Sequence, residues 1–326
     1  MLFRPGRARR PTGARAPGHR ACGAPRYGDR VSDAERTAAV DVFESHRRYL
    51  GSVAYRLMGS VSDAEDVLQE AWLRWQGADR SAVSDARAFL TTVVTRLCYD
   101  ALGSARSRRE AYYGEWLPEP LVDDADSPAA RAETGESVSL AMLAVMEQLT
   151  PAERVAFVLH DLFAVGFDEV GVALERSPQA ARQLASRARR RVRDGGHRGE
   201  PLDPAEHRQV VSAFAAAASR GDLGGLLAVL DPDVVWHSDG GGVVSAGVRP
   251  VLGADRVARL VAGLLARELR GTAPGTMGFG LVNGEPGLIW YPSPGVVGGV
   301  VGFTVVGGRI TEAYAVVNPE KLRHLV

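Results

Sequence analysis

Residues 167–193 read FDEVGVALERSPQAARQLASRARRRVR, and this stretch decides the fold of the N-terminal half of the chain. The pattern predicts two helices around a tight turn. Ser177 followed by Pro178 marks the start of the second helix, because a serine hydroxyl caps free N–H groups and proline has no N–H to leave unpaired. The apolar residues of the second helix recur at i, i+3, i+4, i+7 and i+11 as one inward stripe, Ala181, Leu184, Ala185, Ala188 and Val192. The stretch therefore predicts a helix-turn-helix.

The outward face of the second helix carries side chains suited to DNA. Residues 176–193 contain seven arginines and no acidic residue. Gln, Arg and Ser reach base edges and phosphates, so we expect DNA contacts from Ser177, Gln179, Arg182, Gln183, Ser186, Arg187 and Arg190. The alternative is a surface helix with a solvated basic face. The agreement of turn, cap and polar face favours DNA binding.

The composition of the chain limits the classes of protein to which it can belong. The chain has 326 residues and no net charge, which leaves room for two or three domains and excludes a polycation. Two cysteines, Cys22 and Cys98, make neither a disulfide framework nor a metal site. No apolar run reaches membrane-spanning length and no signal peptide is recognisable, so we expect a cytoplasmic protein without cofactor or metal. Residues 1–31 hold eight arginines against one acid, which predicts a disordered Arg-rich tail.

Residues 32–112 read as an all-helical domain. Ser62–Glu65 fits a capping box that opens the helix SDAEDVLQEAWLRW, with apolar residues on one face and acids on the other. The next helix, near residues 85–105, is expected to leave Thr91 and Thr95 outward together with Arg87, Thr92, Arg96 and Tyr99. Threonine, arginine and an aromatic residue suit melted nucleic acid through stacking and backbone charge. Taken alone, neither the acidic face of the first helix nor the polar face of the second indicates binding more strongly than it indicates an ordinary solvated helix surface.

The rest of the chain divides into a linker, a second helical domain and a region rich in strands. Residues 113–136 form the linker, because the prolines of WLPEP at Trp116–Pro120 keep the backbone extended. Residues 137–197 are helical and contain the helix-turn-helix. In residues 198–326 helices give way to the strand-like runs VVWHSDGGG, VVSAG, MGFGLV, GLIWY, VVGFTVV and RITEAYAVV. Asp231–Asp233 reads as a turn and Gly307–Gly308 as a two-residue hairpin. This order predicts an α+β cone with a curved antiparallel sheet.

The stretches DAEDVLQEAWLRW and AFLTTVVTRLCYDAL, with the segment from Thr150 to Arg193, resemble a bacterial sigma factor of the extracytoplasmic-function class. The resemblance covers roughly residues 36–196 and rests on order and spacing. It implies one helical domain for the −10 promoter element and one for the −35 element. It also implies that the acidic helix binds the β′ clamp helices of core RNA polymerase, through Asp63, Asp66, Glu70 and Trp72. The loop at 79–87 and the helix after it would hold and melt the −10 element.

The C-terminal region resembles the SnoaL-like fold, a cone that often holds an apolar pocket. Enzymes with this fold use an Asp or a His of the pocket as general base. We expect a pocket, open to an unidentified small molecule, lined by Trp236, His237, Asp239, Trp290 and Tyr291. The alternative, which the sequence favours over catalysis, is that Asp239 caps a glycine turn and His237 is a satisfied polar residue.

The two resemblances combine in a subgroup of these sigma factors that carries a SnoaL-like extension. Its motifs are WLPEP, DGGGK and NPDKL; here the first is complete, Val243 replaces the lysine of the second, and Glu320 replaces the aspartate of the third. The resemblance implies that the extension regulates the protein in cis by docking on the linker. The docking residues would be Trp116, Leu117, Pro118, Glu119, Pro120, Asp239, Gly240, Gly241, Gly242, Asn318, Pro319, Glu320, Lys321 and Leu322.

We therefore expect two all-α sigma domains, the second with a helix-turn-helix, followed by an α+β SnoaL-like cone domain. The expected function is an alternative sigma factor that directs core RNA polymerase to promoter DNA and performs no chemistry. One alternative is a ligand-sensing helix-turn-helix regulator that works without polymerase, and the acidic helix argues against it. The other is a SnoaL-like enzyme fused to a DNA-binding module, whose activity would survive a cut at Gly199.

Overall fold

The structure is a computed structural model that describes residues 33–123, 138–194, 203–268 and 275–325. The tail predicted at residues 1–31 and most of the predicted linker after Asp123 lie outside the described residues. In the part of the chain that is described, no helix combines the length and apolarity needed to cross a bilayer.

The N-terminal half is helical, as predicted. Its helices are α1 (Asp33–Met58), α2 (Val61–Gly77), α3 (Ala86–Glu110), α4 (Leu140–Met146), α5 (Pro151–Phe157), α6 (Phe167–Leu174) and α7 (Pro178–Asp194). A short 3-10 helix (Arg80–Ala82) precedes α3, and a π-helical turn (Val158–Leu162) follows α5.

Helix α2 begins at a different cap from the one predicted. Its N-cap is Ser60, whose Oγ accepts the N–H of Asp63 at 3.1 Å. The capping box predicted at Ser62–Glu65 is wrong, because Ser60 has the extended backbone that a cap needs, whereas Ser62 already lies inside the helix. Thr150 and Glu153 form a capping box at the start of α5.

The helix-turn-helix has the predicted geometry. All five residues of the inward stripe of α7 are buried. Glu175 ends α6 in the left-handed conformation, with φ of 54°. Gly171 permits the tight turn, since a Cβ at this position would lie 2.7 Å from the carbonyl oxygen of Arg176. Ser177 caps α7 by accepting the N–H of Ala180 at 3.2 Å.

The helices before and after the linker share one apolar core. A single cluster of buried residues runs from Ala39 in α1 to Val192 in α7. Tyr49 of α1 meets Phe163 edge-on, with ring centroids 5.4 Å apart. The two predicted helical domains are therefore packed against each other in this structure.

The C-terminal region is the expected α+β domain. Its helices are α8 (Pro204–Ser219), α9 (Leu223–Val229) and α10 (Ala254–Glu268). Its strands are β2 (Leu230–Asp239), β3 (Val251–Leu252), β4 (Thr276–Val282), β5 (Glu285–Tyr291), β6 (Gly299–Val306) and β7 (Arg309–Val316). The linker adds β1 (Val122–Asp123), and the described sheet has the order β1-β4-β5-β6-β7-β2-β3.

Three details of this domain differ from the sequence prediction. The sheet is mixed, because β2 pairs with β7 in parallel. Asp231–Asp233 lies within β2, where the register shifts, and is not a turn. The run VVSAG forms no strand; its valines Val243 and Val244 are exposed in a turn, so their β propensity has no buried face to fill. The Gly307–Gly308 hairpin is confirmed by the pairing of Val306 with Arg309.

Aromatic side chains fill the interior of the domain. Phe214 of α8 packs on Trp236 and Phe303, with ring centroids 6.4 and 5.2 Å apart. Tyr291 packs against a different cluster, between the sheet and the linker. The expectation that all five candidates line one pocket is therefore wrong. Trp236 points into the domain, whereas the next residue, His237, points to the opposite face of β2, towards the linker.

Candidate functional site

Both backbone polar groups of linker residue Leu117 bond to the C-terminal domain. Its N–H donates to Oδ2 of Asp239 at 2.8 Å, and its carbonyl oxygen accepts a hydrogen bond from Nζ of Lys321. Its side chain is buried against Leu140 of α4 and Leu322. Leu117 thus joins the linker, a helix of the second helical domain and the C-terminal domain in one apolar cluster.

Asp239 is the centre of this contact. It lies at the end of β2, is completely buried, and forms an ion pair with Lys321 at 2.7 Å. Besides Leu117, its other donors are the hydroxyl of Tyr112 at 2.6 Å and the N–H of Gly241 at 3.1 Å. Burial lowers the pKa of Lys321 to about 8, while Asp239 opposes this shift. A buried carboxylate with four donors is a structural acceptor for the linker and is not a free general base.

The Trp116 ring connects the C-terminal domain to both helical domains. Nζ of Lys321 and the guanidinium carbon of Arg109 each lie 3.9 Å from its centroid, within cation–π range. Arg109, in α3, also forms an ion pair with Glu147, which follows α4. Glu147 pairs in turn with Arg154 of α5 at 2.6 Å. A line of charge contacts therefore runs from the C-terminal domain, through Trp116, to the second helical domain.

Glu119 places a carboxylate at the N-terminus of α2. Oε2 accepts the N–H of Val61 at 2.7 Å, and Oε1 accepts the hydroxyl of Ser60 at 3.0 Å. The N–H of Glu119 donates to the carbonyl of Gly59 at 2.9 Å. A negative group at this end of a helix also interacts favourably with the helix dipole. The linker is thus fixed directly to the acidic helix.

The structure brings together most of the residues predicted for docking. Gly241 allows a close approach, since a Cβ there would lie 2.4 Å from Nδ2 of Asn318. Asn318 is buried and donates to the hydroxyl of Tyr112 at 2.8 Å. The other docking candidates that are buried are Pro118, Pro120, Gly240 and Leu322. Gly242 lies under the exposed Tyr113 ring, whereas Pro319, Glu320 and Val243 face solvent and do not contribute buried contacts.

The second catalytic candidate, His237, also faces the linker. Its Nδ1 lies 2.6 Å from Oε1 of Glu115, and its ring stacks on Tyr314 with centroids 4.7 Å apart. His237 and Asp239 are two residues apart in β2, so they lie on one face of the strand. Both are held by partners from residues 112–117, so the arrangement matches the alternative in which they are satisfied structural residues.

The residues predicted for −35 DNA form an open surface. Ser177, Gln179, Arg182, Gln183, Ser186, Arg187 and Arg190 are all exposed on α7 or its cap. Two of the arginines have intramolecular neighbours. Nε of Arg187 lies 3.6 Å from Glu153, and the guanidinium of Arg182 lies 5.1 Å from the centroid of Phe167. The face is cationic and accessible, as a major-groove reader requires.

The residues predicted for the −10 element are partly covered. Arg96 donates to the carbonyl of Val172 in α6 at 2.9 Å and lies 3.8 Å from Glu175. The other three candidates are Arg87, over the Tyr49 ring at 4.1 Å, and the half-buried Thr92 and Tyr99. The expectation that Thr91 and Thr95 point outward is wrong: both are buried, because α3 packs on several helices and its apolar face is wider than one stripe.

The acidic face of α2 is exposed around one apolar side chain. Asp66 and Glu70 are exposed, and Asp63 lies 3.6 Å from Arg108. Trp72 is half-buried against Phe43, with centroids 5.2 Å apart, so it belongs to the packed side of the helix. Leu73, three residues after Glu70, is 59% exposed. Sequence reasoning did not single out Leu73, because one apolar residue among acids is not by itself a signal of a contact surface.

Two family models match the chain, Sigma-70 region 2 at residues 42–108 and Sigma-70 region 4 at residues 139–192. The ECF RNA polymerase sigma factor SigJ of Mycobacterium tuberculosis is 46% identical over 295 residues, which are 86% of this chain and 92% of that protein. A probable ECF RNA polymerase sigma factor of the same species, SigI, is 35% identical over 285 residues, 86% of this chain and 93% of that protein. The crystal structure of SigJ superposes with a TM-score of 0.71 and 43% identity, covering 87% of this chain and 98% of that one.

These similarities extend across both helical domains and the α+β domain, so the predicted fold class, two sigma domains followed by a SnoaL-like domain, is confirmed. The chain belongs to the extracytoplasmic-function family of RNA polymerase sigma factors.

Proposed function

We propose that the chain is an alternative sigma factor that directs core RNA polymerase to a specific set of promoters, and that its C-terminal domain regulates this activity in cis. The buried contact of Leu117 with Asp239 and Lys321 is the observation that carries the regulatory part. It fixes the linker whose freedom decides how far the two sigma domains can move apart.

The promoter contacts are assigned to two faces. The exposed face of α7 reads the −35 element, with Arg190 and Gln183 among its accessible side chains. The face of α3 that includes Arg87 and Arg96 holds the −10 element. The acidic face of α2, with Asp66, Glu70 and the exposed Leu73, binds the polymerase. Polymerase and promoter are cytoplasmic, so the protein acts in the cytoplasm.

The arrangement described above is the inactive state in this proposal. Arg96 is hydrogen-bonded to helix α6, and the two sigma domains share a core, so they cannot reach two separate promoter elements at once. Release of the linker from the C-terminal domain shifts the population towards a state in which they separate. Because the domain is tethered, its effective concentration is high and modest contacts suffice to hold the closed state.

The C-terminal domain acts by binding and performs no chemistry in this proposal. Asp239 and His237 are engaged by Tyr112 and Glu115 respectively, and Phe214 and Trp236 pack inside the domain. A small molecule that bound the domain would act through the same linker contact.

Run-off transcription with purified core polymerase, on the DNA upstream of the protein's own gene, tests the proposal. The full chain should give a transcript that core polymerase alone does not give. Trp116→Ala should change the amount of that transcript without changing the folded content. Arg323→Ala, two residues after Lys321 and with a side chain that is 77% exposed, serves as the control. Failure of the chain to bind core polymerase would overturn the sigma assignment, and equal transcription by the Trp116 variant would overturn the regulatory role.

A further inference from the structure

The turn between β4 and β5 touches the linker four residues beyond Leu117. We propose that Asn283 in this turn is a positioning residue, which fixes linker residues 119–121 and helix α1 to the C-terminal domain independently of the Asp239–Lys321 pair. Its consequence for transcription rests on the proposed cis regulation, whereas the contact itself does not.

Asn283 directs hydrogen bonds at two other parts of the chain. Its backbone N–H donates to the carbonyl of Leu121 at 2.8 Å, and its Oδ1 accepts the N–H of Leu121 at 3.0 Å. Its Nδ2 donates to the hydroxyl of Tyr55 in α1 at 2.8 Å. That hydroxyl donates in turn to the carbonyl of Glu119 at 2.7 Å. Asn283 and Tyr55 are 4% and 8% exposed, so these bonds are shielded from water.

The turn itself does not need the asparagine side chain. Asn283 and Gly284 have φ of 52° and 82°, and Val282 pairs with Glu285 across them. Glycine, asparagine and aspartate all adopt such a two-residue turn. Because both polar atoms of the Asn283 side chain bond outside the turn, the side chain serves the contact between domains.

The same contact lets the linker continue as an edge strand. Val122 and Asp123 pair with Val282 and Leu281 of β4, directly after the bonds to Asn283. The linker thus meets the C-terminal domain at Leu117, at the end of β2, and again at Leu121–Asp123, at the edge of β4. Between and beside these points, Glu115 contacts His237 and Pro120 contacts His324. Only the first point involves residues of the DGGG and NPEKL segments. The second also reaches α1 without passing through the linker, because Tyr55 bonds Asn283 directly.

Amide hydrogen exchange of the full chain, read at single residues, tests this role. Asn283→Gly keeps the turn and deletes both side-chain bonds. Tyr55→Phe deletes the bond that Tyr55 shares with Asn283 and also the bond from Tyr55 to the carbonyl of Glu119. A buried hydrogen bond contributes about 1 kcal/mol, so the loss of both Asn283 side-chain bonds should raise exchange at Leu121 roughly 30-fold in Asn283→Gly. The rise should be smaller in Tyr55→Phe, which keeps the bond between Asn283 and Leu121. In the double variant the two effects should combine to less than their product. Exchange at Leu117 should rise by a smaller factor.

Unchanged exchange at Leu121 in Asn283→Gly would overturn the inference, and so would effects of the two variants that multiply fully. As an internal control, neither variant should change exchange at Ile310, which pairs with Val305 in the β6–β7 ladder away from the linker. Run-off transcription separates the two proposals. Altered exchange with unaltered transcription supports the contact and contradicts cis regulation, whereas altered exchange with altered transcription supports both.

Discussion

Replacing Lys321 with methionine removes the cation that pairs with Asp239 while keeping a side chain of similar length beside Trp116. In the docked state Asp239 is completely buried and Lys321 is 6% exposed. Without its partner, Asp239 keeps the hydrogen bonds from Tyr112, Leu117 and Gly241 but loses the compensating charge. Both side chains belong to the C-terminal domain, and undocking removes Tyr112, Trp116 and Leu117 from around them. Water can then reach the unpaired carboxylate, so most of the loss falls on docking.

Removing one partner of a buried ion pair costs about 3–5 kcal/mol. The three remaining hydrogen bonds to Asp239 place the cost near the lower end, about 3 kcal/mol. Since 1.4 kcal/mol is a factor of ten in an equilibrium constant, docking should weaken roughly 100-fold. Lys321→Met should therefore raise amide exchange at Leu117, whose N–H bonds Asp239, by a similar factor.

Arg323→Met is the control, because Arg323 lies on the same short 3-10 helix as Lys321 (Pro319–Leu325), has a side chain that is 77% exposed, and only approaches Glu320 at 3.8 Å. Its exchange at Leu117 should equal that of the unmodified chain. Adding Asp239→Asn to Lys321→Met removes the unpaired charge and should recover part of the docking. Exchange at Leu117 within twofold of the unmodified chain in Lys321→Met would refute the reasoning that the ion pair holds the linker.

Three further outcomes are expected. Arg190→Ala should weaken binding to −35 DNA about fivefold and reduce the slope of log affinity against log salt by about one, whereas Arg189→Ala, whose side chain pairs with Asp161, should change the slope less; equal effects in a filter-binding titration would contradict the assigned face. Glu119→Ala should destabilise the folded chain by about 1–2 kcal/mol in urea unfolding, because the N-terminus of α2 loses an acceptor, and Glu119→Gln should recover about half of this; no loss in either variant would count against the cap. Burial raises the pKa of Glu285 to about 7, so its folded form keeps a proton that the unfolded chain releases above pH 4.5. The protonated side chain is fully compatible with burial below pH 4.5, and this contribution to stability is lost as the pH rises through 7. The unmodified chain should therefore lose up to about 3 kcal/mol of its free energy of unfolding between pH 4.5 and pH 8 that Glu285→Gln does not lose, and parallel pH profiles for the two proteins would disprove this.

Local patterns in the sequence predicted the elements whose causes are local. The stripe from Ala181 to Val192 and the Thr150 cap were predictable because helix periodicity and capping act over a few residues. The Ser62 cap failed because Ser60 offers the same chemistry two residues earlier, and backbone conformation, which the sequence does not display, decides between them. The mixed sheet could not be predicted either, since the pairing of β2 with β7 joins segments far apart in the chain.

In the candidate site, too, features with local causes were predictable and contacts between distant residues were not. Trp116–Pro120, Asp239 and Lys321 were identifiable as motifs, but their partners Tyr112, Arg109 and Tyr55 carry no local signal. Tyr55 and Asn283 are 228 residues apart, and only the folded chain brings them to 2.8 Å. Burial is likewise a property of packing: Thr95 looks like an outward residue of α3 until the neighbouring helices cover it.

Lys321 carries the only lysine ε-amine of the whole chain. Acylating reagents attack a neutral, accessible amine, and in the docked state this amine is enclosed by Trp116, Leu117 and Asp239. The rate at which such a reagent labels Lys321 is therefore set by how often the domain releases the linker. The protein thus contains its own chemical reporter of undocking, which mass spectrometry can read in a mixture with polymerase and promoter, without any engineered label.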